Sequence, residues 1–124
     1  MSDPGHSEAL LDHLRNPRNP GSLPRHDPYV RTGEAGSPDG TRLVRLQFRV
    51  DASGRIGDAC FKAFGCSATI ACASWVVERV EGELAAATFD LGPDALCDAL
   101  ELSGERRDAA NLALGALQAA LVGL

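Results

Sequence analysis

The sequence predicts an α+β fold: a small antiparallel three-stranded sheet with helices packed on one of its faces. Three observations carry that expectation. Residues 43–50 alternate cleanly between apolar and polar, a turn signal follows at once, and beyond residue 67 the apolar period changes from two to between three and four. A helix ahead of the sheet and a run of helices behind it complete the α+β order.

Each element has its own signature. Residues 1–6 are expected to be disordered. Ser7 then suits the cap of a helix over 8–14, with Leu10, Leu11 and Leu14 as its apolar stripe. Asn16-Pro17 ends that helix, because the residue before proline avoids the helical region. Four prolines and a glycine between 16 and 28 read as an ordered turn or loop. A short edge strand is expected around 29–32, and Gly36, Pro38 and Asp39-Gly40 make 34–41 turn chemistry. In the alternating strand, Val44, Leu46, Phe48 and Val50 face one way, and Arg45, Gln47 and Arg49 the other. Asp51-Ala52-Ser53-Gly54 closes a hairpin to a strand over 55–64, and Gly65 turns the chain out of the sheet. Ile70, Ala73, Val77 and Val80 mark a helix over 67–81, stopped by Gly82. One more helical turn at 83–88 and a short helix over 94–100 behind Pro93 precede a break at Ser103-Gly104. The last helix, 105–122, buries Ala109, Ala113, Leu117 and Leu121.

The 124 residues amount to one domain, and an apolar fraction of 44% is enough for a core built from Ala, Leu and Val. A formal net charge of −5 argues against nucleic acid or an anionic membrane as partner. The three arginines at 42, 45 and 49 read as a solvated strand face. No apolar run reaches the length of a membrane span, and the polar start is no export signal, so the expected location is cytoplasmic. Thiols there stay reduced, and the four cysteines contain no C-x-x-C pair that would suggest a zinc ribbon or a thioredoxin site.

Cys66 is the most informative residue. It stands between a strand and a helix, where unpaired amides and the positive end of the helix dipole favour a thiolate, the form that attacks sulfur or binds metal. The bland alternative is a small cysteine in a tight turn. Cys60, Cys72 and Cys97 are expected to be plain core residues; Cys72 lies 240° round the helix from Cys66. His6, His13 and His26 form no i, i+4 pair, and His13 is expected to lie on the helix surface or in packing. No hydrolase triad, P-loop or dinucleotide glycine pattern is present, so no independent enzyme is expected.

Three segments carry a resemblance. LDHLRNPRNPG at 11–21 is similar to the D-H-x-x-N-P-R-N-x-G signature of the IscU/NifU-type scaffolds of iron–sulfur cluster assembly. FKAFGCSATIA at 61–71 resembles their F-K-x-[FY]-G-C-x-x-x-I-A segment, whose cysteine is a cluster ligand. The stretch from Glu105 to Leu121 resembles their final helix, which opens on a His-Cys or Lys-Cys pair. The resemblance implies an IscU/SufE-like fold, a transient iron or [2Fe–2S] cargo, and two partners: a cysteine desulfurase that delivers sulfur to Cys66, and a client apoprotein.

The chain departs from the family in its ligands. The P-x-C-G-D loop reads SPDGTR at 37–42, with Gly40 in the cysteine's place and Arg42 in the aspartate's, or Asp39 in the cysteine's place after a one-residue shift. The final pair falls on Asp108 and Ala109. The resemblance therefore leaves Cys66, Asp39 and Asp108 as metal ligands. One soft and two hard donors suit weak Fe²⁺ or Zn²⁺ better than a stable cluster, and Arg42 repels a cation. Three functions follow: an assembly scaffold with a reduced site, a partner-binding module that has lost cluster and metal binding, and a persulfide acceptor of the SufU type. The last of these normally carries the missing cysteines and an insertion before the Gly-Cys turn. No dimer face is legible, so the oligomeric state is open.

Overall fold

The computed structural model describes residues 7–88 and 90–122; the expected loose start at 1–6 lies outside them. The elements run α1 (Glu8–Arg15), β1 (Val30–Gly36), β2 (Leu43–Val50), β3 (Ile56–Phe64), α2 (Ser67–Val80), α3 (Ala85–Thr88), α4 (Pro93–Leu100), a short 3₁₀ turn (Gly104–Arg106) and α5 (Arg107–Leu121). The sheet is antiparallel throughout, in the order β1-β2-β3. Helices α2 and α5 lie on its inner face, and one apolar cluster joins them to the sheet and to α1 and α4.

Most elements arise where the sequence predicts them. Ser7 caps α1 by accepting the Leu10 N–H at 3.1 Å, and its hydroxyl donates to Leu100 O at 2.7 Å, tying α1 to the end of α4. Val44, Leu46, Phe48 and Val50 point into the core. Each such fully buried large side chain contributes roughly 1.5–3 kcal/mol. A small bulge, with Gly57 and Asp58 of β3 opposite the single Arg49 of β2, bends β3 as it leaves the hairpin.

Strand β1 departs from expectation. It continues to Gly36, through residues whose composition reads as a turn, pairing Gly33 with Leu46 and Ala35 with Val44. The reason is the closeness of α5. A Cβ on Gly33 would lie 2.0 Å from Ala116 O and 2.4 Å from Ala120 N, so only a strand without side chains there admits the helix. Small residues on both surfaces (Ala116 and Ala120 against Gly33, Gly115 against Ala35) set that spacing.

Gln47 departs too, and of the two places expected for His13, surface or packing, the structure takes packing. Gln47 sits on the outer face as its parity requires, yet it is buried. Its Oε1 accepts the Leu23 N–H at 2.9 Å, and its Nε2 donates to Thr32 Oγ1 at 3.0 Å. The covering chain is the proline-rich segment after α1. It crosses the free edge of β3, where Gly21 N donates to Phe61 O at 2.8 Å and Phe61 N to Asn19 O at 3.2 Å. It then lies over Gln47 and, opposite it in the register, Cys60.

His13 is buried, with Nδ1 2.7 Å from Ser74 Oγ on α2, and the same oxygen accepts the Arg18 N–H at 2.9 Å. Arg18 pairs with Asp12 and Glu78, and Asn19 donates to Glu81 at 2.8 Å. The start of the segment is thus strapped to α2.

Burial pushes the His13 pKa below its ordinary 6.5, helped by the Arg18 charge and opposed by Glu78 and Asp12. The unfolded chain therefore binds the extra proton. Stability is full above about pH 6.5 and should fall as pH drops through that value. Denaturant midpoints at pH 7.5 and 5.5 check this: the acid-side loss should shrink in His13→Gln, and an equal loss in both proteins would refute it.

Candidate functional site

Gly65, with φ at +132°, adopts a conformation that L side chains rarely take and swings the chain from β3 into α2. Cys66 follows in extended conformation, as the N-cap residue of α2. It is the exposed one of the four thiols; Cys60, Cys72 and Cys97 are buried, as the sequence suggests. Burial pushes all three buried thiols above their ordinary range. At Cys66 the balance is reversed. Partial desolvation would raise its pKa, but the Thr69 hydroxyl, the N–H groups of Thr69 and Ala68, and the Arg42 charge outweigh it and bring the thiol below its usual value.

The Thr69 hydroxyl lies 3.3 Å from Sγ and can donate to the thiolate. It belongs to a fully buried residue, so its position is fixed. Sequence reasoning passed over Thr69, although its place three residues after an N-cap is where capping contacts form.

The sulfur opens into a recess of about 470 Å³, lined by Arg42, Cys66, Ser67, Ala68, Glu105, Arg106 and Asp108. The end of the β1–β2 hairpin, the mouth of α2 and the start of α5 thus meet at one place. Asp108 joins Cys66 there, as the resemblance implies. Glu105 and Arg106 were not singled out from the sequence; one nitrogen of Arg106, Nη1, is buried with no hydrogen-bond partner among the described residues.

Asp39 is not in the recess. Its Oδ1 accepts from Ser37 Oγ at 2.7 Å, Thr41 Oγ1 at 2.7 Å and Thr41 N at 3.0 Å. Those bonds, with a smaller contribution from Arg42, hold its pKa down to about 2. The carboxylate shapes its own turn, which is what an aspartate before glycine commonly does. Among the described residues no three His, Cys, Asp or Glu side chains are disposed to hold a metal ion, so Cys66, Asp39 and Asp108 do not come together as one ligand set. The reason is local: Asx-turn bonding takes up Asp39 before any distant partner can.

A larger apolar groove of about 670 Å³ lies on the outer sheet face, between the strap and the exposed Phe64. Among the described residues no helix is long and apolar enough to cross a membrane.

The family model for the NifU-like N-terminal domain matches residues 6–123. The chain is 37% identical over 121 residues to the mitochondrial iron–sulfur cluster assembly protein 1 of Yarrowia lipolytica, covering 98% of this chain and 67% of that protein. It is also 37% identical over 116 residues to the iron–sulfur cluster assembly scaffold protein IscU of Haemophilus influenzae, covering 94% and 92% of the two chains. Among solved structures, FiSufU of Fervidobacterium islandicum, described as a scaffold candidate for the SUF system, superposes with a TM-score of 0.75. That match covers 98% of this chain and 99% of the other at 19% identity, a likeness of fold.

Proposed function

The chain belongs to the NifU-like N-terminal domain family, and from that premise we propose that it serves iron–sulfur cluster assembly as a scaffold or carrier, taking sulfur at Cys66. The observation that carries this reading is the contrast among its thiols: one is exposed, at a helix mouth that favours the thiolate, and the other three are buried. A cysteine desulfurase is the donor this chemistry calls for, and a client apoprotein the recipient. Four unbridged cysteines accord with a reducing compartment such as the cytoplasm.

The cluster, or iron alone, is cargo. Cys66 is its thiolate ligand and Asp108, across the recess, a second donor. Two donors of unlike softness hold Fe²⁺ loosely and Zn²⁺ somewhat more tightly, but close the shell of neither. Completing a [2Fe–2S] coordination shell then requires donors from outside this recess, such as a second copy or the partner.

Protein purified without oxygen, incubated with a desulfurase and cysteine and then with Fe²⁺, tests the reading by intact mass, iron content and acid-labile sulfide. One sulfur atom on Cys66 is expected first, with iron retained only in its wake. The absence of two family cysteines favours a second reading, a binding module without cargo. Stable desulfurase binding with no sulfur on Cys66 and no iron would establish that one instead.

A further inference from the structure

Arg42 occupies an unusual position beside the reactive sulfur. A Cβ built on Gly65 would lie 2.6 Å from Arg42 Cγ and 3.2 Å from its Cα, so the arginine stem packs directly on the turn that presents Cys66. Its backbone is pinned to the opposite side of the hairpin: Arg42 N donates to Ser37 Oγ at 3.0 Å, and Ser37 N to Arg42 O at 3.0 Å. Its guanidinium lines the recess and has no hydrogen-bond or ion-pair partner among the described residues. The nearby Asp39 feels its charge, but that carboxylate is already satisfied by Ser37 and Thr41. Glu105 and Asp108 on the far wall are matched in number by Arg106 and Arg42, so the recess as a whole is close to neutral. Of these charges, it is Arg42 whose field bears on the sulfur.

We propose that Arg42 is the specificity-determining residue of this site, admitting an anionic sulfur donor to Cys66 and holding the anionic persulfide that forms. The inference rests on Cys66 being the sulfur acceptor. The chemistry explains why a cation is needed. In the transfer, the Cys66 thiolate attacks the terminal sulfur of a donor persulfide, R–S–S⁻. A new S–S bond forms on Cys66, the donor's S–S bond breaks, and the donor cysteine leaves as a thiolate. Two negative charges enter and two leave, with no net oxidation, but they must first approach each other against their repulsion. An arginine charge whose stem is packed on the turn offsets that repulsion at any working pH. The same charge opposes Fe²⁺ until sulfur has been loaded.

The test needs no sulfur donor, because Cys66 is the exposed thiol among the four. Its alkylation is timed with iodoacetamide, which is neutral, and with iodoacetate, which is an anion, at one pH and low salt. The ratio of the two rates cancels the thiolate fraction and reads the local field. Arg42→Met keeps a stem of similar length without the charge, and should lower the iodoacetate/iodoacetamide ratio about threefold or more. Arg42→Lys should restore most of it, and about 0.5 M salt should bring wild type toward the Met variant. An unchanged ratio in Arg42→Met, or a Lys variant no better than Met, overturns the proposal. Sulfur acceptance would survive that result, whereas a wild-type protein that takes no sulfur from a desulfurase removes the functional reading with the alkylation ratio intact.

Discussion

Gly33→Ala should destabilise the protein by about 3–5 kcal/mol, the upper range for a single substitution. The added methyl would sit 2.0 Å from a carbonyl oxygen and 2.4 Å from an amide nitrogen of α5. Both are backbone atoms inside a fifteen-residue helix, so no side-chain rotation relieves the clash. Either α5 lifts from the sheet or β1 pulls away from β2, and each exposes the core that Leu117, Leu121 and Val44 share. Overpacking of a core usually costs about 1–3 kcal/mol where flexible neighbours can yield; here they cannot. Urea unfolding of the two proteins measures the difference, and a loss below about 1 kcal/mol would mean that the close approach of α5 to β1 is not real. Gly115→Ala is the natural control. Its methyl would meet Ala35 Cβ at 3.5 Å, an ordinary contact.

Cys66→Ser should separate stability from function in opposite directions. Sulfur loading from a desulfurase should fall more than tenfold, to background, because a serine hydroxyl is almost wholly protonated near neutral pH and cannot attack sulfane sulfur. Stability should hold or rise, by up to about 1 kcal/mol, because serine is among the strongest N-cap residues and Cys66 makes no side-chain cap bond to its helix. Intact mass after incubation reads the first effect and a thermal melt the second. If Cys66→Ser were loaded as fully as wild type, the sulfur would lie on another cysteine. A variant both inactive and unstable would point to a structural thiol. On the proposed function, the helix mouth forgoes a better cap for the sake of a nucleophile.

The legible parts of this fold are those in which local pattern and tertiary demand agree. Strand β2 follows its alternation residue for residue, and the Gly65-Cys66 turn followed by a helix emerges where the motif lies. The extent of β1 was not legible, because Gly33 and Ala35 are chosen by a helix some eighty residues downstream in sequence, and glycine alone reads as a turn. Gln47, read from its own strand, belongs at the surface, and His13, read from its own helix, fits either surface or packing; it is the strap between α1 and β1 that buries both. At the site, Cys66 and Asp108 could be matched to positions in a family pattern. Asp39 matched only by a shift of register, and its bonds to Ser37 and Thr41 are of a kind that a motif comparison does not weigh. Arg42 shows the converse: as a departure from the pattern it looked like a loss, and its packing on Gly65, beside Cys66, is visible only in the fold.

The strap has one more consequence. The outer margin of β3 is met by Gly82 and Glu83 at Ile56, by the Glu81 carboxylate at Ala59 and by Asn19 and Gly21 at Phe61. A foreign strand therefore finds little open backbone along that margin to zip onto, which guards a scaffold that must meet other proteins repeatedly against fibrillar self-association.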